Sequence, residues 1–466
     1  MKYCSTGIKL FPVLSFFGLL FSTPSFSQNN TFSPYSRFGL GLVRPLGTPV
    51  HMGMGGTVAT AIHPFAVNSA NPASYAWLQK PTFDIGGEGQ FINLKDNSGT
   101  QNISIGALNS LNFAFPMPRK PMCFSFGLRP FSSSGYRVSF SEENEQVGKL
   151  NYTYEGKGGI STAHIGMAYA FDLAKSRRDS GSTRVDKLSV GANVLAYFGS
   201  LENTARMQFT DVSYFSTRVT ERTAAKDLGS NFGLIYRRTL AEKYENKKFK
   251  HRVDVTLGGH LELGQNVNAK YSRLVETYNP TFGTEIVVDT AFFAADIVGN
   301  YVLPQQVGTG ISIDYINSKG RSIVLSLDAR LGRWSQFNQS FEGIAPLVTK
   351  LPDRQEWAAG VQFTPRDFYT AGIGFFERIN YRMGVRTATG TLTLADQEIN
   401  ESAVSAGLTI PMKWSGSRSA LNLGTEVGFR GTTNAGLVRE SFVRFNIGFT
   451  LTPYFGNQWF VQRKYD

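Results

Sequence analysis

The stretch VRFNIGFTL, residues 443–451, alternates strictly between apolar and polar or small side chains. Its five apolar side chains fall on one face of an extended chain, and Arg444, Asn446, Gly448 and Thr450 fall on the other. Successive side chains of a β-strand point to opposite faces, so this stretch predicts a strand with one apolar and one polar surface. Nine to eleven such residues are the length that a tilted strand needs to cross a bilayer.

The same alternation recurs in residues 188–198, 253–263 and 323–331. The chain is rich in Gly (48), Phe (37) and Tyr (19), yet its mean hydropathy is only −0.17. A soluble β-sandwich also alternates, but its strands usually have about five or six residues. A β-propeller repeats every ~40–50 residues, and the sequence shows no such period. The pattern therefore favours an all-β transmembrane barrel with a lipid-facing and a lumen-facing surface.

The first 27 residues predict an export signal. Lys2 and Lys9 precede the apolar run 10–21, and Ser25-Phe26-Ser27 supplies a small-x-small cleavage pattern. Neither this run nor any later one is long enough for a membrane-spanning helix of ~20 apolar residues. The formal net charge of +12 on an exported chain favours anionic lipid over nucleic acid as a counterpart. The only cysteine after the signal, Cys123, is expected to be a small buried side chain.

Six short connections rich in basic or turn residues join the strand-like segments. Barrels of this kind have short periplasmic turns and longer outer loops, so six turns between seven hairpins predict fourteen antiparallel strands with both termini in the periplasm. Two long segments, 202–224 and 276–303, could extend outward or fold inward. Trp334 and Trp357 are expected at the outer interface and Trp414 at the inner one. The predicted strands are 82–94, 102–115, 122–139, 159–173, 187–201, 225–239, 251–275, 304–317, 321–335, 354–364, 368–386, 400–412, 419–432 and 438–452.

The segment MGMGGTVATAIHPFAVNSANPASY, residues 52–75, precedes the first strand. A fourteen-strand barrel encloses a lumen that wall side chains alone do not fill, so another segment must close it. Glycine lets a backbone approach the wall closely, and Asn71-Pro72 predicts a turn. We therefore expect residues 28–80 to form a hatch inside the lumen, residues 81–452 the barrel, and residues 453–466 a periplasmic tail.

The residues Gly53, Gly55 and Gly56, followed by Asn71, Pro72 and Ala73, resemble the hatch motif of the FadL-like family of outer-membrane long-chain fatty acid transporters. That resemblance implies a fourteen-stranded barrel in the outer membrane of a Gram-negative bacterium. It also implies a hatch formed by these six residues and passive uptake of a hydrophobic small-molecule ligand. The stretch SPYSRFGLG and the ending WFVQRKYD resemble the Bacteroidota branch of the family.

The tail departs from the fatty acid transporters, which end at their last strand. It carries Trp459, Phe460, Arg463 and Lys464. These residue types suit two roles: anchoring at the inner interface among phospholipid headgroups, or docking on another envelope protein. In the first case the chain is a passive channel. In the second it is a non-transporting accessory subunit of an outer-membrane assembly or secretion complex, such as the barrel-assembly machinery or type IX secretion.

Motifs for catalysis are not found in the sequence. The glycines at 53–56 lack a preceding strand and a GK[ST] ending, so they do not predict a phosphate site. The five histidines show no metal-binding spacing. His260 with Glu262, and Asp328 with Arg330, are expected to be polar residues facing the lumen, the second two as an ion pair. We predict no catalytic residue, metal ligand or cofactor, and therefore no enzyme.

Overall fold

The computed structural model describes residues 31–173, 184–211, 213–246, 248–281, 284–344, 351–367, 372–390, 392–412 and 418–452. Fourteen antiparallel strands each pair with the next along the chain, and the first pairs with the last. The barrel strands are β1 Thr82–Lys95, β2 Thr100–Pro116, β3 Met122–Asn144, β4 Gly148–Asp172, β5 Asp186–Phe209, β6 Ser216–Glu245, β7 Lys248–Glu262, β8 Gln306–Asn317, β9 Ser322–Gly332, β10 Arg354–Thr364, β11 Asn380–Thr389, β12 Glu401–Pro411, β13 Ala420–Arg430 and β14 Arg439–Leu451.

The seam between β1 and β14 closes the barrel. It runs from Phe83 opposite Leu451 to Lys95 opposite Arg439, with no register shift. The predicted closed barrel of fourteen antiparallel strands is confirmed. No helix among the described ranges is long and apolar enough to cross a membrane.

The alternation seen in the sequence separates the two faces of the wall. On β13 and β14 the outward side chains Val427 and Ile447 are 54% and 49% exposed, whereas the inward Glu426 and Arg444 are both 3% exposed. A membrane barrel places its apolar side chains toward lipid, which leaves the polar ones inside. The lumen is therefore lined by charged and hydrogen-bonding groups that need partners.

The strands differ greatly in length. β3 to β6 have 23, 25, 24 and 30 residues, whereas β8 to β14 have 10 to 13. Since about ten residues cross a bilayer, β3 to β6 extend well past the rest of the wall. They do so at one end, which we call the loop end. The opposite end, where β1 begins and β14 ends, is the turn end.

A hairpin of two further strands, Gln265–Thr281 and Thr284–Leu303, continues this extension at the loop end. Its first strand pairs with β6 between Ser216 and Ala225. Together with the loop-end halves of β3 to β6 it forms what we call the projecting sheet. The two long segments left open by the sequence, 202–224 and 276–303, thus extend outward.

Three sequence expectations are wrong. The strand expected over 251–275 is two strands, because the chain leaves the barrel at residues 263–264 while the alternation continues. The strand expected from 368 begins only at Asn380, after a 3₁₀ turn, Phe376–Arg378. Trp334 lies 4% exposed inside the loop-end mouth rather than at a membrane interface. Trp357 is 52% exposed on the outer wall, as expected, and Trp414 lies outside the described residues.

The segment before β1 lies inside the barrel. It contains a 3₁₀ turn Pro34–Arg37, a short strand Leu42–Val43 paired with β3, a single helical turn Pro49–Met52, and a 3₁₀ turn Pro72–Trp77. The helical turn packs on β12, β13 and β14, whereas the last 3₁₀ turn packs on β4, β5 and β6. A segment that contacts both sides of a closed barrel must cross its lumen, so the hatch is confirmed at this position.

Candidate functional site

At Gly53 and Gly55 the backbone of the hatch contacts the backbone of the wall directly. A Cβ on Gly53 would lie 2.9 Å from the Cα of Gly407 on β12. A Cβ on Gly55 would lie 2.6 Å from the carbonyl oxygen of Val385 on β11, and Gly55 has φ +68°. The Gly55 N–H donates to Ser405 Oγ at 2.9 Å. Only glycine fits at these two contacts, because the wall backbone occupies the space of a side chain.

The other predicted hatch residues are Gly56 and the start of the last 3₁₀ turn, Asn71 to Ala73. Gly56 has φ +77° but no close neighbour, so its conformation rather than its contacts favours glycine. Asn71 caps the 3₁₀ turn by accepting the Ala73 N–H at 3.2 Å, and its Nδ2 donates to Ala59 O at 2.7 Å. Pro72 and Ala73 lie against β5 and β6. All six predicted residues therefore lie in the lumen, Gly53 to Gly56 on one wall and Asn71 to Ala73 on another.

The glycines of the wall that receive the hatch were missed by sequence reasoning. At each one an added Cβ would lie within 3 Å of a hatch atom. Each of these glycines lies at an inward-facing strand position, where a barrel of this size would otherwise place a polar side chain. These wall glycines are Gly86, Gly191, Gly233, Gly258, Gly360, Gly384 and Gly407.

Two charged residues of β9 hold the hatch backbone. Asp328 Oδ2 accepts the N–H groups of Val58 and Ala59 at 2.6 and 2.7 Å. Arg330 donates to the carbonyl oxygen of Gly56 at 3.1 Å and to Glu356 at 2.6 Å. Both residues face the lumen, as expected, but they do not pair with each other. Each instead satisfies hatch backbone groups that would otherwise be buried without partners.

A layer of six charged side chains lies on the inner face of the adjacent strands β11 to β14, toward the loop end. Glu401 accepts from Arg386 at 2.7 Å and from Arg430 at 2.5 Å. Arg386 and Arg444 share Glu426, at 2.6 and 3.1 Å. Three positive and three negative groups thereby balance one another. This charged layer consists of Arg386, Glu401, Glu426, Arg430, Glu440 and Arg444.

The hatch joins the charged layer through its first described residues. Ser33 Oγ donates to Glu440, and Tyr35 donates its hydroxyl proton to the carbonyl oxygen of Val438. Burial, together with the nearby Glu440 carboxylate, raises the pKa of Tyr35 to about 12. The Tyr35 hydroxyl therefore stays protonated and remains a donor at neutral pH.

Above the charged layer the mouth of the barrel is filled with apolar side chains. Tyr35, Leu40 and Leu42 of the hatch meet side chains from the wall and from the projecting sheet. This mouth cluster consists of Tyr35, Leu40, Leu42, Phe131, Ile160, Leu195, Tyr197, Leu201, Ala225, Val267, Ala269, Tyr271, Tyr301, Leu303, Trp334, Phe341, Leu351, Leu392 and Ile399. Its burial excludes water from the outer opening.

A smaller apolar cluster lies at the turn end. Tyr75 and Leu78 of the hatch pack with Cys123 of β3 and Ala168 of β4. The Tyr75 hydroxyl donates to Asn193 Oδ1 at 3.1 Å. Cys123 is fully buried, which agrees with the structural role expected from the sequence. The hatch is thus held at both ends of the lumen.

Comparison with known families adds a match over nearly the full length. The BamG family model matches residues 8–466. The chain belongs to the BamG family. No curated protein sequence matches it.

The BamG-family chain shares its fold with solved transporters. The toluene transporter TodX of Pseudomonas putida aligns with a TM-score of 0.54 at 14% identity, over 88% of this chain and 99% of TodX. The toluene transporter TbuX of Ralstonia pickettii gives 0.53 at 15%, over 88% and 98%. A Pseudomonas aeruginosa FadL homologue gives 0.52 at 10%, over 88% and 99%. At such identities these likenesses establish a common barrel fold with the FadL-like proteins.

Three further expectations concern residues outside the hatch. His260 and Glu262 lie on the lumen face of β7, where Glu262 accepts from the Tyr197 hydroxyl at 2.6 Å. Within the described ranges, no three His, Cys, Asp or Glu side chains form a group suited to a metal ion. Trp459, Phe460, Arg463 and Lys464 of the tail lie outside the described residues, so their docking or anchoring role stays a prediction.

Proposed function

We propose that this BamG-family chain is a closed, non-conducting barrel that serves as a structural subunit of an outer-membrane assembly. The observation that carries the proposal is the attachment of the hatch to the wall on opposite sides of the lumen, by backbone contacts and by buried charges that include the Arg44–Glu88 ion pair at 2.6 Å. The match of nearly the whole chain to the BamG family model, and not to a model of a transporter family, supports this choice.

The cavities left between hatch and wall are small. Four of them have volumes of about 30, 30, 20 and 80 Å³. A cavity that binds benzene has a volume of about 150 Å³. A hydrocarbon larger than these cavities would have to displace the hatch, and this would break the Arg44–Glu88 ion pair and the hydrogen bonds from the hatch backbone to Asp328.

The location follows from the fold and the connections. We propose that the barrel lies in the outer membrane, with lipid around its apolar outer face. The short turns share the turn end with the end of β14, which supports a periplasmic position for the carboxyl terminus. The first described residues lie at the opposite end, because Ser33 and Tyr35 bond to Glu440 and Val438 at the loop end, so the expected periplasmic position of the amino terminus has no such support. The projecting sheet then lies outside the cell.

The projecting sheet offers a surface for a partner. The strand Thr284–Leu303 pairs with its hairpin neighbour along one edge, but along the other edge it pairs, within the described ranges, only at residues 299–302. The unpaired part carries Ile286, Val288 and Phe293, which are 56%, 48% and 66% exposed. A long apolar edge of this kind is a template for a strand from another chain.

The other edge of the same sheet is partly protected. There β3 carries Arg137, Glu142 and Glu143 beside the exposed Val138 and Phe140, and charges on an edge strand oppose pairing with another chain. The edge at residues 285–298 also carries acidic side chains but has six large exposed apolar ones, so we favour it as the surface that receives a strand from a second envelope protein. The tail remains a second proposed docking segment on the periplasmic side.

The experiment is an affinity purification in mild detergent with four chains. They are the full chain, a chain truncated after Thr452, a Phe293→Lys variant at the apolar edge, and a Phe140→Lys variant at the protected edge. We expect stoichiometric partners with the full chain and with Phe140→Lys, and their loss with Phe293→Lys or with the truncation. A lone barrel in all four preparations would refute the assembly role.

A second candidate is the passive channel for hydrophobic small molecules. The likeness to transporters that carry toluene over almost their full length favours it. In this case the hatch moves to open a path, with Gly53, Gly55 and Gly56 releasing from β11 and β12. Uptake of toluene into liposomes that contain the purified barrel would support the channel. Uptake equal to that of empty liposomes would leave only the assembly role. Neither candidate requires a catalytic residue, a cofactor or nucleic acid.

A further inference from the structure

A polar cavity of about 80 Å³ lies between the hatch and the wall. His51 and His63 of the hatch line one side, and Arg237, Asp314, Gln362 and Arg382 of the wall line the other. Its volume is enough for a few water-sized groups but too small for an acyl chain or a nucleotide.

Arg382 on β11 is a buried cation with no acidic partner among the described residues. It is 3% exposed, and its Nε donates to Gln362 Oε1 at 2.8 Å while Nη1 donates to Thr409 Oγ1. Its Nη2 is buried without an acceptor. Arg386, four residues along the same strand, is instead bonded to two glutamates. Burial of a charge without a partner lowers the stability of the fold by several kcal/mol, so a negative partner for Arg382 would stabilise the protein.

His51 supplies a second donor to the same cavity. Its Nδ1 accepts the Thr48 N–H at 3.2 Å, so the proton of the neutral ring lies on Nε2. Nε2 is buried and has no acceptor among the described residues. Burial, and then the nearby Arg382 guanidinium, lower the pKa of His51 to about 3, which keeps the ring neutral at physiological pH.

The remaining charges at the cavity balance one another. Arg237 bonds both Asp254 and Asp314 at 2.7 Å, and Arg252 bonds Asp254 at 3.1 Å. Two guanidinium groups thus face two carboxylates. The charge of Arg382 is left without compensation, and the residues of the two free donors both line the cavity, as does Asp314, whose Oδ1 is a buried acceptor without a partner among the described residues.

We propose that a small monovalent anion, a halide or a short carboxylate, binds between Arg382 Nη2 and His51 Nε2. The anion would neutralise Arg382 and satisfy both donors. Arg382 belongs to the wall and His51 to the helical turn of the hatch. An anion bound to both would therefore link the hatch to β11. This inference goes beyond the proposed function, since it holds for a structural subunit and for a channel alike.

The test begins with thermal unfolding of the detergent-purified full chain at constant ionic strength. Bromide and acetate are titrated against gluconate, which is too large for the cavity. We expect a saturable rise in Tm with bromide if a halide is the ligand, or with acetate if a short carboxylate is. Equal Tm values in all three salts would overturn the proposal.

Two variants and a matched control locate the effect. Arg382→Gln should lose the dependence of Tm on the anion, and Arg382→Lys should retain part of it. Arg330→Gln, which removes a buried arginine that does have an acidic partner, should lower Tm equally in every salt and keep the anion dependence. An anion dependence in Arg382→Gln equal to that of the unmodified chain would refute the site.

A direct measurement does not depend on the folding of any variant. Crystals of the unmodified chain grown in bromide should show an anomalous peak within hydrogen-bond distance of Arg382 Nη2 and His51 Nε2. The absence of such a peak, combined with a flat bromide titration, would exclude the halide. An acetate-dependent Tm with no bromide peak would identify the carboxylate.

Discussion

The charged layer and the mouth cluster close the same lumen, one directly above the other, by different physical means. The charged layer uses six groups whose bonds depend on distance and direction. The mouth cluster uses nineteen apolar or aromatic residues whose burial is non-directional. Apolar packing tolerates small shifts, whereas a buried ion pair that loses one partner leaves a bare charge. The charged layer therefore fixes the inner face of β11 to β14, which bonds to the hatch at Ser33, and the mouth cluster keeps water out.

The largest expected effect comes from opening the charged layer. Glu401→Gln removes one of the two carboxylate partners of Arg386 and of Arg430 and leaves the buried layer with an uncompensated positive charge, so we expect a loss of about 3–5 kcal/mol in the free energy of unfolding. Denaturant unfolding in detergent measures it. Glu142→Gln on the exposed edge of β3 is the control and should change stability by less than about 0.5 kcal/mol. A loss below about 1 kcal/mol for Glu401→Gln would show that the layer does not hold the lumen closed.

A smaller effect is expected where one carboxylate holds the hatch backbone. Asp328→Asn weakens two charge-assisted hydrogen bonds, to Val58 and Ala59, and should cost about 1.5–3 kcal/mol. Hydrogen exchange at these two amides is the measurement. Ser326→Ala removes a neutral hydrogen bond to Thr60 nearby and should cost only about 1 kcal/mol. Equal exchange in both variants would contradict the role of the charge.

Low pH should destabilise the contacts between the wall and the helical turn of the hatch, which contains His51, and should leave the mouth cluster intact. The pKa of His51 is about 3 in the folded state, below its ordinary value of 6.5. The stability that its neutral form contributes is therefore present above pH 6.5 and lost as pH falls toward 3. Between pH 7 and 5 we expect roughly twentyfold more opening at residues 49–56, after correction for intrinsic exchange rates. His51→Gln should weaken this dependence, and the rest should come from His63, since burial lowers its pKa to about 3 as well. A dependence in His51→Gln equal to that of the unmodified chain would contradict the role of His51.

The smallest effect is expected in the mouth cluster. Ile399→Val removes one methylene from a fully buried side chain and should cost about 1 kcal/mol, with no change in hatch exchange. Combined with Glu401→Gln, it should add to the larger loss only if the two layers act independently. A double-mutant cycle measures this, and an interaction above about 0.5 kcal/mol would mean that the two closures are coupled.

The alternation of side chains predicted the barrel well because it is a local property of each strand. It failed at residues 263–264, where the pattern continues across a bend that only the pairing of β7 with β8 determines. The hatch glycines were found because Gly53 and Gly55 lie in an unusual sequence context. Their partners Gly384 and Gly407 look like ordinary strand glycines, since their close contacts come from residues more than 300 positions away. The ion pairs of the charged layer depend on strand register, which the sequence does not show.

The seam between β1 and β14 determines the order in which the molecule can form. It joins the beginning of the wall to its end, with the whole of the barrel sequence between them. The hatch precedes β1, is held at both ends, and fills the lumen with groups bonded to the wall. The helical turn of the hatch packs on β12, β13 and β14, so these contacts can form only after the last strands have been made. The part of the chain that is made early thus reaches its final contacts only when the last part of the wall is present.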